Sequence, residues 1–159
     1  MSEQVKVAVV YYSSTDTVYE LAKSIVEGAE KAGAEVRLRK VHELAPDEAI
    51  AANAGWASHA AEAQHVAEAT AEDILWADAV IFGSPTRFGN IASQLKQFID
   101  TLGGPWMQGQ LAEGNPYGTS HIADHGDLPI TGTTRHAAAY QGARVVKIAA
   151  ALKAGLRAS

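Results

Sequence analysis

Apolar and polar positions along the chain switch between two periods. Val5 to Tyr12 is a nearly unbroken apolar, β-branched and aromatic run. Such runs predict a strand buried on both faces of a parallel sheet. The run stops at the polar turn Ser13-Ser14-Thr15-Asp16-Thr17, after which Val18, Leu21, Ala22, Ile25, Val26 and Ala29 share one helical face. Thr17 with Glu20 reads as a capping box, and Gly33 suits the left-handed residue that closes a helix. Glu35 to Val41 alternates strictly, Val36 and Leu38 against Arg37 and Arg39. That predicts a strand with one wet face, suited to a sheet edge.

Leu44 to Ala69 is alanine-rich and polar and reads as loop with broken helix. Thr70 and Asp73 mark a helix start, with Ile74, Leu75 and Trp76 as its apolar side. Ala79 to Gly83 reads as a second fully buried strand, ending in Ser84-Pro85-Thr86-Arg87-Phe88-Gly89-Asn90. Ile91, Leu95, Phe98, Ile99 and Leu102 predict a helix stopped by Gly103-Gly104. Pro105 to Gly132 reads mostly as loop. A last helix is expected from Thr134 to Ala154, with Tyr140, Val145, Ala149 and Leu152 on its buried side. Alternating strands and helices predict one α/β domain over residues 1–159, a parallel sheet with right-handed crossovers.

Composition narrows the function classes. The 159 residues include no cysteine, which excludes a disulfide scaffold, a thiolate metal site, an iron–sulfur cluster and a cysteine nucleophile. A net charge of -5 offers no global attraction for nucleic acid. No apolar run is long enough to span a bilayer and the N-terminus has no signal-peptide pattern. A cytoplasmic chain without a membrane span is therefore expected.

In open parallel sheets, ligands bind beyond the carboxyl ends of the strands, where strand order reverses. After the first strand, Ser13, Ser14, Thr15 and Thr17 place four hydroxyls in five positions at a helix N-terminus. That suits an anion such as a phosphate monoester held by neutral donors and amides. The same residues also suit an ordinary polar turn with an N-cap. Neither a dinucleotide-binding G-x-G-x-x-G nor a P-loop G-K-[ST] is present. After the later strand, Pro85 stiffens the turn and Gly89 permits unusual backbone. Thr86 and Arg87 offer donors and Phe88 an aromatic surface, which suits a flat, partly anionic heterocycle. Those residues also suit a surface ion pair and a ring that covers the core. A flavin mononucleotide presents both a phosphate and a planar ring.

The strings VAVVYYSSTDT, FGSPTRFGN, FIDTLGGPW and GNPYGTSHIA resemble the WrbA-type NAD(P)H:quinone oxidoreductases, which are flavodoxin-like. The resemblance implies a flavodoxin-like three-layer sandwich, bound FMN, and two-electron transfer from NADH or NADPH to quinones. It also implies assembly as a tetramer; a homo-oligomer, tetramer or dimer, is expected. By position, Ser13, Ser14, Thr15, Asp16, Thr17 and Val18 would surround the phosphate, while Pro85, Thr86, Arg87, Phe88 and Gly89 would border the ring. Trp106 would shape the pocket shared by quinone and nicotinamide, and Thr15 would also meet the nicotinamide cofactor. No side chain is expected to be a catalytic acid or base.

Two departures stand out. Asp16 occupies a position where the family usually has glycine, and a carboxylate there repels phosphate unless it turns outward or is protonated. A strand–helix–strand unit, typically roughly 30 residues or more, is missing between Ala112 and Glu113. The third flavin loop and a family histidine go with it. Three strands would remain of five, and the strand ending at Gly83 would become an apolar edge. Alternatives to the enzyme are an FMN-binding electron carrier without turnover, or a remnant that binds no flavin. His121, Asp124, His125 and Asp127 form a polar cluster that reads as surface loop, and no metal site is expected. His42, His59 and His65 have no partner pattern, Trp56 and Trp76 read as packing residues, and Asp100 as a solvated face.

Overall fold

The computed structural model describes residues 4–107 and 129–158, with side chains for 4–105 and 129–155. Strand β1 (Lys6–Tyr11) is central: Val7, Ala8, Val9, Val10 and Tyr11 are all buried. It pairs in parallel with β2 (Glu35–Lys40) and β3 (Ala79–Gly83), giving the order β2-β1-β3 among the described residues. Seven helices complete the described chain: α1 (Asp16–Lys31), α2 (Asp47–Ala51), α3 (Ala54–Glu62), α4 (Ala71–Trp76), α5 (Ser93–Thr101), α6 (Gly103–Met107) and α7 (Gly132–Ala158). The loop with broken helix expected before Thr70 is α2, α3 and a 3₁₀ turn at Ala63–His65.

Alternate residues of β1 send the sheet's two faces into separate cores. Val7, Val9 and Tyr11 pack with Tyr19, Ala22, Ile25 and Ala29 of α1 and Ala138, Val146 and Ala149 of α7. Ala8 and Val10 pack with Ile74 of α4 and Leu95 and Phe98 of α5. The result is the three-layer, flavodoxin-like sandwich that the sequence predicts. Burial of β1 on both faces follows from the apolar run Val7–Val10: either orientation is apolar.

Helix α1 begins at Asp16 with Thr15 as N-cap, one turn's edge earlier than a Thr17–Glu20 capping box requires. Glu20 instead pairs with Lys23 and with Arg135 at 2.9 Å. The other end closes as expected: Gly33 takes φ +91°, its amide donates to Glu30 at 2.8 Å, and the amide of Ala34 donates to Ala29 at 3.1 Å. Thr70 and Asp73, read from the sequence as a helix start, form a capping box there.

Four expectations are corrected. Arg37 and Arg39 do not face open water; they donate at 3.1 and 2.9 Å to Asp73, which is buried at the start of α4. Two cations and the capping contacts supply the donors that a buried carboxylate needs. Leu75 is exposed, because α4 is short and turns Ala71 and Ile74 to the core. Strand β3 is not fully buried: Phe82 is 40% exposed at the edge of the described sheet. Helix α5 stops before Gly103-Gly104 as expected, but Pro105 lies within the short α6 rather than in a loop.

The buried stripe of α7 is also shifted from the one expected. Tyr140 and Leu152 are exposed, while Ala138, Val146 and Ala149 are buried beside Gly142. Small residues set this phase. A Cβ at Gly142 would overlap the Ile25 carbonyl of α1, and one at Gly28 would overlap the Ala139 carbonyl of α7. The two backbones therefore touch where side chains are absent, and the large apolar residues of α7 point elsewhere.

Candidate functional site

Chain direction across the sheet reverses between β1 and β3, since β2 lies on one side of β1 and β3 on the other. The carboxyl ends of these two strands border the crevice where open α/β sheets take ligands. Both sequence-predicted loops lie there. The amide of Tyr12 donates to the Gly83 carbonyl at 2.9 Å, which joins the two strand ends just before the loops diverge.

The first loop is shaped by its own hydroxyls. Ser13 is buried and its hydroxyl donates to the Thr15 carbonyl. Thr15 is the N-cap of α1 but makes no side-chain cap, so the first-turn amides of this 16-residue helix have no hydroxyl from Thr15 upon them. Amides so placed, with the helix dipole behind them, favour an anion. Asp16 is exposed. Thr17 and Val18 are partly buried. A Cβ at Gly83 would stand 3.1 Å from Val18 Cγ1 and 3.2 Å from Tyr11 Cβ. Gly83 thus lets the start of α1 settle against the end of β3.

The second loop is anchored at its base and strained at its tip. The Ser84 hydroxyl donates to the Pro85 carbonyl at 3.0 Å and accepts the Ala92 amide at 2.9 Å. Arg87 and Asn90 exchange backbone hydrogen bonds of 2.8 and 2.9 Å across Phe88 and Gly89. Both central residues have positive φ, 51° and 80°, the pattern of a primed hairpin turn. Gly89 adopts this freely; Phe88 does not, and such outliers cluster where ligands are held. The Phe88 ring is fully exposed, so core burial does not compensate its strain. Thr86 and Arg87 are exposed beside it.

The two loops meet. Arg87 Nη2 donates to Ser14 Oγ at 3.1 Å across 73 positions of sequence. The structure thereby brings Ser14 and Arg87 together, with Thr15 and Phe88 on the same loop pair. Trp106 lies on α6, but its side chain is outside the described residues, as are GNPYG, the Ala112–Glu113 junction and the His121, Asp124, His125 and Asp127 cluster.

Sequence reasoning missed Glu43. Tyr12, Trp56 and Gln94 all donate to its carboxylate, at 3.0, 3.2 and 2.7 Å. Burial raises the carboxyl's proton affinity, but the Ala45 amide, Gln94 and Tyr12 outweigh it and hold the group below the ordinary carboxylate range. Burial, then the Glu43 carboxylate, pushes the Tyr12 phenol well above its ordinary value. Above this network opens a cavity of about 670 Å³ whose walls include Tyr12, Trp56, Ile91 and Arg87. His42 pairs with Glu68 at 3.0 Å, and Trp76 lies under Arg37 at 4.0 Å.

An open parallel sheet flanked by helices, its strand order reversing at β1, defines a doubly wound α/β protein. More narrowly, a family model described as the flavodoxin-like fold matches residues 6–120, and the chain belongs to that family. The chain is similar to the NAD(P)H dehydrogenase (quinone) of Deinococcus radiodurans, 49% identical over 112 residues, covering 70% of this chain and 56% of the relative. It is similar to the protein of the same name from Geotalea uraniireducens, 36% identical over 156 residues, covering 96% and 76%. A third, from Paracoccus denitrificans, is 33% identical over 204 positions, covering 94% and 96%. The chain spans little more than half the length of several relatives it matches. The 204 aligned positions exceed this chain's 159 residues, so dozens of the Paracoccus protein's positions face no residue here.

Among the described residues, no helix is long and apolar enough to cross a membrane.

Proposed function

We propose that this chain is an FMN-dependent oxidoreductase that transfers two electrons from NADH or NADPH to quinones. The observation that carries the reading is the Arg87–Ser14 contact, which closes an anion-competent helix start against an exposed aromatic turn at the switch point. The relatives named NAD(P)H dehydrogenase (quinone) support it.

The donor set suits the group. The α1 N-cap makes no side-chain cap, Ser14 and Thr15 bring hydroxyls, and Asp16 is exposed. Ser13 to Val18 would hold the FMN phosphate, with Ser13 acting through the loop it shapes and Val18 by packing α1 against β3. Pro85, Thr86, Arg87, Phe88 and Gly89 would border the ring, Arg87 as a fixed cation. Thr15 and Trp106 would face the nicotinamide donor or quinone. The bound flavin would supply reversible two-electron chemistry; the protein's part is position, charge and exclusion of water.

The protein works in the cytoplasm as a homo-oligomer. Support for assembly comes from β3, whose outer edge has no partner among the described residues and presents Phe82, and from the exposed stripe Tyr140, Ile148 and Leu152 on α7.

A visible spectrum with added FMN and an assay of NADH oxidation with benzoquinone test the reading. A yellow protein that turns over supports the enzyme. Flavin without turnover turns the reading to an electron carrier, which the dozens of positions absent relative to the Paracoccus protein favour. No flavin retained at micromolar concentration leaves a remnant fold.

A further inference from the structure

Glu43 lies three residues beyond β2, outside both candidate ligand loops. Its carboxylate nevertheless takes five donors. On Oε1 these are the amides of Leu44 and Ala45, at 2.8 and 3.0 Å, and Gln94 Nε2 at 2.7 Å. On Oε2 they are the Tyr12 hydroxyl at 3.0 Å and Trp56 Nε1 at 3.2 Å. Gln94 spends its second N–H on the Tyr12 oxygen at 2.9 Å. A carboxylate has room for about four lone-pair directions, so this one is saturated.

The donors come from the elements that position the two loops. Tyr12 directly follows β1 and immediately precedes Ser13. Gln94 sits in the first turn of α5, four residues after Asn90 closes the strained turn. Trp56 belongs to α3, whose Gly55 lies beside Thr15: a Cβ there would stand 3.6 Å from the Thr15 methyl. Both Tyr12 and Gln94 are buried. One anion therefore fixes the base of the phosphate-side loop, the base of the ring-side loop and the helix alongside. Its charge-assisted hydrogen bonds are about twice as strong as neutral ones, and its lowered proton affinity keeps that charge at neutral pH.

We propose that Glu43 is a positioning residue for the flavin site: through Tyr12 and Gln94 it sets the spacing between the Ser13–Val18 loop and the Pro85–Gly89 loop. The proposal rests on the flavin reading above. A ligand that engages both loops gains from each only when their separation matches its own length, as two linked binding groups do. FMN is such a ligand. Riboflavin carries the same ring without the phosphate and engages the ring loop alone.

The test is the FMN-to-riboflavin affinity ratio, read by quenching of flavin fluorescence in the wild type, Glu43→Gln and Tyr12→Phe. Glu43→Gln keeps the size but puts an amide N–H₂ against donors, whereas Tyr12→Phe removes one hydroxyl and keeps the ring. The ratio should fall by roughly tenfold in Glu43→Gln and by roughly threefold in Tyr12→Phe. Riboflavin affinity should change by less than about twofold, and unfolding should stay cooperative. A merely structural role would lower both affinities together and leave the ratio unmoved, which overturns the proposal. If Glu43→Gln does not fold, Tyr12→Phe decides by the same criterion. A wild type that binds neither flavin overturns the flavin reading and this proposal with it. A wild type that prefers FMN, beside variants with the same preference, overturns the positioning role alone.

Discussion

The α1–α7 face and the β3 side of this molecule are built on opposite rules. On the first, small residues let two helix backbones touch: Gly28 lies under Ala139 and Gly142 under Ile25, with Ala29 and Ala138 fully buried between. On the second, large residues stand in the open: Phe82 at the strand edge, Ile91 before α5 and Phe88 at a strained turn. The first face has no room for a ligand and the second has no closed packing. Apolar size is thus a poor guide to where the core lies in this chain. Close approach decides it on the α1–α7 face, while Phe82, Phe88 and Ile91 stand exposed around the candidate site and the free edge.

Breaking the closed side gives the largest effect. Gly142→Val should cost roughly 2–3 kcal/mol in urea unfolding, because the new methyls meet α1 backbone rather than a movable side chain. Gly103→Ala, with nothing within 4 Å of its Cβ, should stay within about 0.5 kcal/mol. Next in size is the strained turn. Phe88→Gly should stabilise the fold by about 1 kcal/mol by relieving the positive φ, while flavin affinity falls. A stability gain without an affinity loss would mean that the strain serves no ligand.

Phe82→Lys sharpens the contrast at the edge. It should move a folded monomer's stability by less than about 0.5 kcal/mol, yet shift the protein to smaller assemblies in sedimentation velocity. An unchanged assembly would place the subunit contact elsewhere. The smallest effect is a pH dependence on the closed side. His59 is buried beside Tyr19, and Nδ1 has no hydrogen-bond partner among the described residues. Burial lowers its proton affinity below the ordinary 6.5, with Lys40 and Lys23 adding to this and Glu62 and Asp16 opposing it. The unfolded chain therefore takes the proton first on acidification. Stability is full above pH 6.5 and is lost as pH falls through the lower folded value. His59→Gln should flatten that interval of the stability curve.

The strands and the two loops were legible because their signals are local. An apolar run marks β1, Thr70 with Asp73 marks the start of α4, and hydroxyls after a strand mark a helix start that can take an anion. The phase of α7 was not legible. Alanine and glycine carry no amphipathic pattern, so Tyr140 and Leu152 gave a false face that the Gly28–Gly142 contact overrules. Arg37 and Arg39 read as solvent-facing because alternation reports polarity, not a buried partner such as Asp73 supplied from 34 residues away or more. Glu43 gave no signal at all: one loop carboxylate becomes a hub only when three distant segments converge upon it. Gly89 announced a special turn, but no residue pattern foretold that Phe88 would share its positive φ.

In the flavin reading, the loop from Ser13 to Val18 holds the phosphate of FMN while its planar ring rests on the turn from Pro85 to Gly89. The most direct test is equilibrium titration of the wild-type protein with FMN and with riboflavin under one buffer and salt condition. The account predicts that FMN binds at least about tenfold more tightly, the worth of a charge-assisted hydrogen bond or more. Equal affinity for the two flavins, or retention of neither, would contradict it.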